Sequence, residues 1–509
     1  MKKFDPVSLE IQWKRLVSMV DEASAAFVRT SFSVLVREAN DFAVVLTDAQ
    51  GRSIAQSVLS IPSFIGTLPA TVKHFLARFP PHTLKPGDVM ITNDPWMGTG
   101  HIHDVNIAMP IFHKGGIVAF AAVVSHMPDI GGRIRNAGIR DIYEEGLQIP
   151  RLKLLNAGKP DQNLLAMIGR NVRVPEQTLG DIWAQIAACK MLDERLQPLL
   201  RDTDLAALGG EIRARSEAAM REAIRAVPAG TYHAQTQHDG FEEPILINCT
   251  VRVKGDRLAI DYTGSSPQVP RAVNVVPIYT FAYSAFAVKA LLCPDVPNNE
   301  GSFMPISTSA PLGSIFNPRY PAASGGRGMI GHMMVPAIMM ALADVVRERA
   351  IAEGSSNSSI TVTGEHQGRP YAAVNFMNAG QGATGHRDGY TMLSFPSNLS
   401  NTPIEIFEQM APVRVIERSI RRGSGGAGRH RGGDGLHFEI EVVAATPMMA
   451  SMIMTRFRTA PQGLFGGAPG KVGGLLLNGK PIDPADHWVL KKGDRIVMET
   501  AGGGGCGAA

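Results

Sequence analysis

Two copies of a His-x-x-Asp pattern, on either side of a short apolar segment, constrain this chain more than any other feature. The first copy is His101 with Asp104, and the second is His126 with Asp129. The segment between them, residues 105–125, predicts two strands around a tight turn, because two apolar runs flank a pair of glycines. A hairpin returns its outgoing end beside its incoming end, so we expect the two pairs to meet in space.

The residue types in these pairs indicate a candidate metal site. Imidazole nitrogens and carboxylate oxygens are ligands for divalent ions such as zinc or manganese. The candidate ligands are His101, Asp104, His126 and Asp129. The alternative is that each histidine forms a hydrogen bond within a loop and each aspartate stabilises a turn. His103 is an ambiguous member, because in an extended chain it would share a face with His101 and not with Asp104.

Two acidic residues near the patterns are candidates for catalytic roles. Glu145 would act as a general base if it lay close to a metal-bound water, although glutamates at turns are usually solvated. Asp94 precedes Pro95 and Trp96. It would orient a ligand histidine by accepting a hydrogen bond from it, or it would stabilise its own turn. The sequence leaves both alternatives open.

The same segment resembles the hydantoinase B/oxoprolinase family. The resemblance begins at Gly87-Asp88 and Asn93-Asp94-Pro95 and continues through both His-x-x-Asp patterns and Ile130-Gly131-Gly132. Further matching motifs lie at residues 145–150, 261–266, 298–303, 401–405, 425–433 and 502–507. The family includes B subunits of ATP-dependent hydantoinases, the C-terminal half of 5-oxoprolinase, and large subunits of acetone- and acetophenone-carboxylase-type enzymes.

The resemblance implies both a cofactor and a partner. Members of the family hold a divalent metal with His and Asp side chains, and the matching positions here are His101, Asp104, His126 and Asp129. Their B subunits work with an A subunit of actin-like ATPase fold, which phosphorylates the substrate carbonyl or enol. Two departures point away from the oxoprolinase reaction itself: residues 1–73 contain no histidine, and Gly423 stands where the family usually has Asp.

Glycine motifs in the chain do not predict an ATP site. Residues 326–331 match G-x-G-x-x-G, but the preceding Asn317-Pro318-Arg319-Tyr320-Pro321 is not a central strand, so an anion at a helix N-terminus is the better interpretation. Residues 466–471 lack the spacing of a phosphate-binding loop. The basic run Arg418–Arg431 is either a solvated loop or a flexible site for a phosphate or carboxylate. ATP is therefore expected to be handled by a partner subunit.

Length and patterning predict a large α+β fold made of several mixed regions. A chain of 509 residues exceeds what one core usually serves, so two to four domains are expected. Apolar periodicity predicts helices at residues 6–29, 175–208 and 210–226, and one long helix at 329–349. The predicted regions are 1–205 with the candidate metal site, β-rich 206–325 with helices, 326–435 with a helix, strands and the Gly/Arg loop, and β-rich 436–509.

Charge and cysteine content exclude several classes of partner. The 50 Lys+Arg balance 46 Asp+Glu to a net charge of +4, spread along the chain, which argues against nucleic acid or a membrane surface as partner. The four cysteines show no paired spacing and predict free thiols. Neither a secretory signal nor a membrane-spanning run is visible, so we expect a cytoplasmic protein.

Three functions remain open at this stage. The leading one is a metal-dependent B subunit of an ATP-dependent hydrolase that opens a hydantoin- or lactam-like ring, in a hetero-oligomer with an actin-like ATPase. The second is a component of an ATP-dependent ketone carboxylase, in which the ion would hold an enolate or its phosphate. The third is a metal-stabilised scaffold whose chemistry lies in a partner. Neither the substrate nor the metal follows from the sequence.

Overall fold

In the computed structural model, which describes residues 4–356 and 358–509, the first region of the chain is organised around a seven-stranded sheet. Its strand order is β2-β1-β5-β4-β3-β6-β7, and every neighbouring pair is antiparallel. The elements are α1 (Pro6–Thr30), α2 (Val34–Arg37), β1 (Phe42–Asp48), β2 (Ser53–Gln56), α3 (Pro62–Arg78), β3 (Val89–Thr92), β4 (Asp104–His113), β5 (Gly116–His126), α4 (Ile142–Glu145), β6 (Leu152–Asn156), β7 (Lys159–Pro160), α5 (Gln162–Asn171) and α6 (Pro175–Leu200).

The hairpin predicted between the two His-x-x-Asp patterns is confirmed as β4 and β5. Its turn consists of Lys114 and Gly115, both with positive φ, as a tight two-residue hairpin turn requires. The register pairs Asp104 with His126 directly across the two strands. The first ligand candidate of β4 and the last residue of β5 are therefore neighbours, as the sequence predicted.

Helices cover both faces of this sheet, which explains why β5 is apolar throughout. Alternate residues such as Ala121 and Val123 pack into one core with α1 and α6, whereas Phe120, Ala122 and Val124 pack into a second core with α3. A strand buried on both faces has a continuous run of apolar residues and not an alternation of apolar and polar ones. The hairpin that carries the two patterns is therefore buried on both faces of the sheet.

Helix α1 forms where the sequence predicts it. Asp5 caps the helix by accepting a hydrogen bond from the backbone N–H of Ser8 at 3.0 Å, and Pro6 occupies the first position, where its missing N–H costs nothing. The expected helix at 175–208 ends earlier, at Leu200, because Asp204 caps a new helix through the N–H groups of Ala206 and Ala207.

The second region combines a four-stranded sheet with helices packed against it. The sheet order is β11-β10-β9-β8. The elements are α7 (Leu205–Arg225), β8 (Gly230–His238), β9 (Ile245–Lys254), β10 (Arg257–Asp261), α8 (Pro277–Leu292), β11 (Ile306–Ser309), α9 (Gly328–Gly331) and α10 (Met334–Ala341). The prediction of one long helix at 329–349 is wrong. Helix α9 ends at Gly331 and α10 ends at Ala341. Gly331 has no Cβ, which lets the ring of Tyr279 approach closely, and glycine is a poor helix former.

The third region contains two further sheets, ordered β13-β12-β16-β19 and β14-β15-β20-β17-β18. Each of the two sheets contains strands from before and after residue 435, where the sequence predicts a boundary between regions. The elements are β12 (Ser358–His366), β13 (Arg369–Met377), α11 (Ile404–Met410), β14 (Val413–Arg421), β15 (Gly435–Val442), β16 (Met448–Ile453), β17 (Gly474–Leu477), β18 (Lys480–Pro481), β19 (His487–Leu490) and β20 (Arg495–Glu499).

The glycine-rich end of the chain is a packed part of this third region. Residues 502–505 are buried among other glycine-rich segments. A Cβ on Gly503 would overlap the carbonyl oxygen of Gln381, and a Cβ on Gly432 would overlap that of Gly503. Glycine is required here because backbones touch one another directly.

The architecture confirms the α+β fold class predicted from the sequence. Helices and strands alternate in several mixed regions instead of forming one repeated unit. The four cysteines remain free thiols. Within the described residues, every helix is too short or too polar to cross a membrane.

Candidate functional site

The structure brings together three of the four predicted metal ligands at one end of the β4–β5 hairpin. Asp104 opens β4, His126 closes β5, and His101 lies in the turn that leads into β4. His101 Nε2 lies 2.7 Å from Asp104 Oδ1, and His126 Nδ1 lies 3.1 Å from the same oxygen. All three side chains are buried.

The bend that brings His101 to Asp104 contains two glycines, Gly98 and Gly100. Gly98 donates to the carbonyl oxygen of Asp94 at 2.6 Å and starts the turn. Gly100 adopts a φ of +100°, which side chains rarely tolerate. A Cβ at Gly100 would also lie 2.7 Å from Arg327 Nε, so a larger residue would displace a side chain of the site.

The hydrogen bond of His101 fixes which of its nitrogens is free. Its Nδ1 lies 3.1 Å from the carbonyl oxygen of Gly325, which is an acceptor only, so Nδ1 carries the proton. Nε2 then presents a lone pair to Asp104 Oδ1 and has no hydrogen-bond partner among the residues described. Burial, together with the charge of Arg327, lowers the pKa of His101 to about 3. Two lone pairs therefore face each other in a buried place.

Asp104 is held in its ionised form from its other side. Its Oδ2 accepts hydrogen bonds from Thr99 Oγ1 at 2.7 Å and from Arg327 Nη2 at 2.8 Å. Burial alone would raise its pKa, but the neighbouring His101 and Arg327 outweigh it and hold the pKa of Asp104 well below its usual range. Oδ1 is left to face the two imidazoles as a full acceptor.

His103, the ambiguous residue of the sequence, lies beside the cluster. Its ring centroid is 5.0 Å from that of His101 and 5.5 Å from that of His126. Its Nδ1 is buried, and nothing in the described part of the chain hydrogen-bonds to it. Burial, reinforced by the two other imidazoles, lowers its pKa well below the usual value, so the ring is neutral at pH 7.

Glu145 lies behind the loop that supports His101. Its Oε1 accepts hydrogen bonds from the backbone N–H groups of Ser324 at 2.6 Å and Gly325 at 2.5 Å. Its Oε2 is buried and finds no partner within residues 4–356 and 358–509. Burial raises the pKa of Glu145 to about 7, against the lowering effect of the two backbone hydrogen bonds. This carboxyl group therefore exchanges a proton near neutral pH.

The two remaining predicted residues lie apart from the cluster. Asp129 forms an ion pair with Arg173, whose Nη1 and backbone N–H both lie 2.5 Å from its two oxygens. Asp94 accepts a hydrogen bond from the backbone N–H of Trp96 at 2.9 Å, which is the turn-stabilising arrangement that the sequence left open as its alternative. The structure does not bring these two carboxylates to the imidazoles.

Three charged residues of the site were not predicted from the sequence. Asp41 precedes β1, and its Oδ2 lies 3.9 Å from His126 Nδ1; burial raises the pKa of Asp41 to about 6. Arg135 and Arg327 both line the cavity beside the cluster. Only Arg327 carried a signal, since it lies within the G-x-G-x-x-G motif, and that motif was interpreted as a helix start.

The donor set fits a divalent cation. Imidazole nitrogens and an ionised carboxylate oxygen converge, and ligand atoms of His101, Asp104 and His126 lie within 4.8 Å of one another. Neutral histidine and ionised aspartate are the protonation states that metal binding requires. The facing lone pairs of His101 and Asp104 would repel each other without a cation between them.

Comparison with known proteins identifies the family of this chain. The model of the hydantoinase B/oxoprolinase family matches residues 5–509. The chain belongs to this family. It is 29% identical to the B subunit of a putative D-/L-hydantoinase from Pseudomonas sp., over 94% of this chain and 84% of that protein.

Solved structures of the same fold come from two ATP-dependent enzymes. An ATP-dependent caprolactamase from Pseudomonas jessenii superimposes with a TM-score of 0.91 at 27% identity, covering 100% of this chain and 92% of that one. A nucleotide-free acetone carboxylase superimposes with a TM-score of 0.89 at 20% identity, covering 99% and 76%. At that identity the second likeness shows the fold alone.

Proposed function

We propose that this chain is the metal-dependent B subunit of an ATP-dependent enzyme that opens a cyclic amide of the hydantoin or lactam kind. The observation that supports the proposal best is the 2.7 Å approach of unprotonated His101 Nε2 to ionised Asp104 Oδ1. A buried cation between these atoms would relieve their repulsion. Zinc or manganese suits such nitrogen and oxygen donors.

Residues of this chain would bind the cation, and one of them would accept a proton. His101, Asp104 and His126 would be the ligands. A bound divalent ion polarises a carbonyl or makes water a better nucleophile at neutral pH. Glu145 Oε2, with a pKa of about 7, is suited to hold the proton that an attacking water gives up.

The proposal includes a partner that consumes ATP. The hydantoinase relative is named as one subunit of its enzyme, and the caprolactamase is ATP-dependent. The sequence offers no phosphate-binding loop of its own, so an actin-like ATPase of the A type is the partner that we propose. Amide resonance makes direct attack by water slow, and phosphorylation of the amide oxygen would supply a better leaving group. Such a hetero-oligomer would work in the cytoplasm, where ATP is available.

A ketone carboxylase is the second candidate. The acetone carboxylase fold supports it, because the same scaffold accommodates that reaction. The caprolactamase is more similar in sequence and is covered more completely, which favours hydrolysis.

Turnover with the co-expressed ATPase partner separates these candidates. We expect ADP formation that depends on a lactam or hydantoin and releases the ring-opened amino acid, with no requirement for bicarbonate. Turnover that requires both a ketone and bicarbonate would establish the carboxylase instead. Asp104→Asn should abolish either activity. If this variant loses its metal and its melting temperature falls while turnover persists, the chain is a metal-stabilised scaffold.

A further inference from the structure

Two arginines, of which Arg327 is buried and Arg135 is half-buried, face the same cavity as the histidine–aspartate cluster. The cavity has a volume of about 60 Å³, and its polar lining includes Asp41, His101, Asp104, His126, Arg135 and Arg327. One buried water needs about 10–15 Å³ of such space. The cavity therefore accommodates a group larger than a water, such as a small tetrahedral anion.

Each guanidinium donates a hydrogen bond to one neighbour and has another buried N–H group without an acceptor. Arg135 Nε donates to the carbonyl oxygen of Gly325 at 3.0 Å, and its Nη1 is buried without a partner in the described segments. Arg327 Nη2 donates to Asp104 Oδ2 at 2.8 Å, and its Cζ lies 4.4 Å from the centroid of the Tyr279 ring. Its Nε is likewise buried and, among the residues that the structure describes, unpartnered.

Unused donors of this kind are costly unless a ligand accepts from them. A buried polar group without a hydrogen bond costs about 1–3 kcal/mol, and more when it is charged. Arg327 is only 5% exposed, so bulk water does not satisfy it. The two guanidiniums also repel each other, and burial together with this repulsion lowers the pKa of Arg135 to about 10. An anion between them would remove both penalties.

The charge of the cavity points to a dianion. Asp41 and Asp104 balance the two guanidiniums, so a bound divalent cation would leave two positive charges uncompensated. A phosphate ester carries about −1.5 to −2 charges at pH 7. The forked guanidinium matches the oxygens of a phosphate more closely than an ammonium does.

We infer that Arg135 and Arg327 bind the phosphoryl group of the activated substrate beside the metal cluster. This inference rests on the proposed function for the source of the phosphoryl group, whereas the anion site itself rests on the geometry. The basic run Arg418–Arg431 is less suited to the role. Arg418 donates to Thr402 and Asn401, and Arg431 pairs with Asp434.

Phosphate binding to the Mn²⁺-loaded full-length chain tests the inference without ATP, substrate or partner. Bound Mn²⁺ broadens the ³¹P resonance of inorganic phosphate held close to it. We expect saturable broadening in the wild type and at least a tenfold weaker phosphate affinity in Arg135→Met, with unchanged Mn²⁺ content. Arg133→Met is the matched control, because Arg133 is two residues away and pairs with Glu144 at the surface; its phosphate affinity should equal that of the wild type.

Three results would overturn the inference. The first is wild-type affinity for phosphate in Arg135→Met. The second is loss of Mn²⁺ from that variant, because Arg135 would then support the cluster and not the anion. The third is displacement of phosphate by bicarbonate at lower concentration, which would assign the arginines to a carboxyl donor. If phosphate binds as expected but no cyclic amide is opened, the proposed function fails and the anion site stands.

Discussion

At the scale of single residues, two aspartates in the same sequence pattern have different surroundings. Asp104 is surrounded by two imidazoles, a threonine and a buried arginine, whereas both oxygens of Asp129 are taken by Arg173. The pattern His-x-x-Asp describes spacing along the chain and contains no information about which cation lies opposite each carboxylate. Their roles should therefore separate on substitution.

Asp104→Asn and Asp129→Asn form a matched pair that tests this difference. We expect Asp104→Asn to lower metal affinity by at least tenfold, because the anionic ligand shared by the two histidines disappears. Asp129→Asn should keep its metal and lose about 1–3 kcal/mol of stability, since Arg173 loses an ionic partner. Metal content after dialysis and the melting temperature are the measurements. Loss of metal from Asp129→Asn alone would contradict this assignment.

Glu145 should make the stability of the metal-free protein depend on pH. Its folded-state pKa of about 7 lies above the ordinary value of 4.5. Between these pH values the folded protein holds a proton that the unfolded chain has released, so the contribution of Glu145 to stability declines as the pH rises. Glu145→Gln removes this pH-dependent contribution. The stability of the variant relative to the wild type should therefore improve by about 1.4 kcal/mol per pH unit over this range.

Denaturant unfolding of both proteins at pH 5, 6 and 7 checks this expectation. The difference between the variant and the wild type should be smallest at pH 5 and should grow toward pH 7. A constant difference would show that Glu145 is ionised throughout in the folded protein.

The sequence predicted part of the site at this scale and missed the rest for a physical reason. His101, Asp104 and His126 were predictable because a hairpin register brings its two ends together. Asp41 and Arg135 were not, because a lone charged residue beside a strand or in a loop carries no period or spacing. Their importance arises from burial, which only the packed chain determines.

At the scale of elements, the loop that follows β5 depends on one close backbone contact. Gly131 has a φ of +78°, and a Cβ there would overlap the carbonyl oxygen of Asn171 at the end of α5. Gly115, in the β4–β5 turn, has a similar φ of +81° but has no atom near its Cβ position among the residues described. The two positions share the same backbone strain and differ only in the neighbouring backbone.

Gly131→Ala and Gly115→Ala should therefore differ in stability. Gly115→Ala should cost about 1–2 kcal/mol, because a residue with a Cβ is strained in a left-handed conformation. Gly131→Ala should cost clearly more, because α5 must also move, and it should displace the loop that holds Asp129. Thermal unfolding of the two variants measures the difference, and equal melting temperatures would show that the contact with Asn171 relaxes freely.

Local sequence patterns predicted elements well where residues close together in the chain determine the structure. Helix α1 and the β4–β5 hairpin follow from a cap, apolar periodicity and a two-residue turn. The expected helix at 329–349 is broken after Gly331, where the ring of Tyr279 lies against the backbone, and a local pattern does not contain such a tertiary contact.

At the scale of the whole molecule, the site is assembled from segments that are far apart in sequence. The hairpin supplies the ligand candidates, Gly325 and Arg327 come from the second region, and Arg135 lies on a loop that contacts the third. Ser451 Oγ of β16 donates to the carbonyl oxygen of Arg135 at 2.7 Å. No single predicted region contains all of these groups. Their proximity in the fold could therefore not be inferred from the sequence of any one region.

The glycine-rich end should accordingly affect the site from a distance. Backbone N–H groups of Gly503, Gly504 and Gly505 donate to Gly433, Glu353 and Ala468, so this segment ties the third region together. Ending the chain after Ala501 removes these bonds, each worth about 1 kcal/mol, and should lower the melting temperature by a few degrees. Ending it after Gly507, which removes only two exposed alanines, is the control and should change little.

The position of Arg135 gives this truncation a second readout. If β16 loosens when the glycine segment is removed, Ser451 no longer holds the backbone of Arg135, and phosphate broadening by bound Mn²⁺ should weaken more than Mn²⁺ binding itself. That order is expected because the ligand candidates belong to the hairpin, whose sheet is packed on both faces by its own helices. Equal loss of phosphate and Mn²⁺ would show that the first region does not hold the cluster without the third.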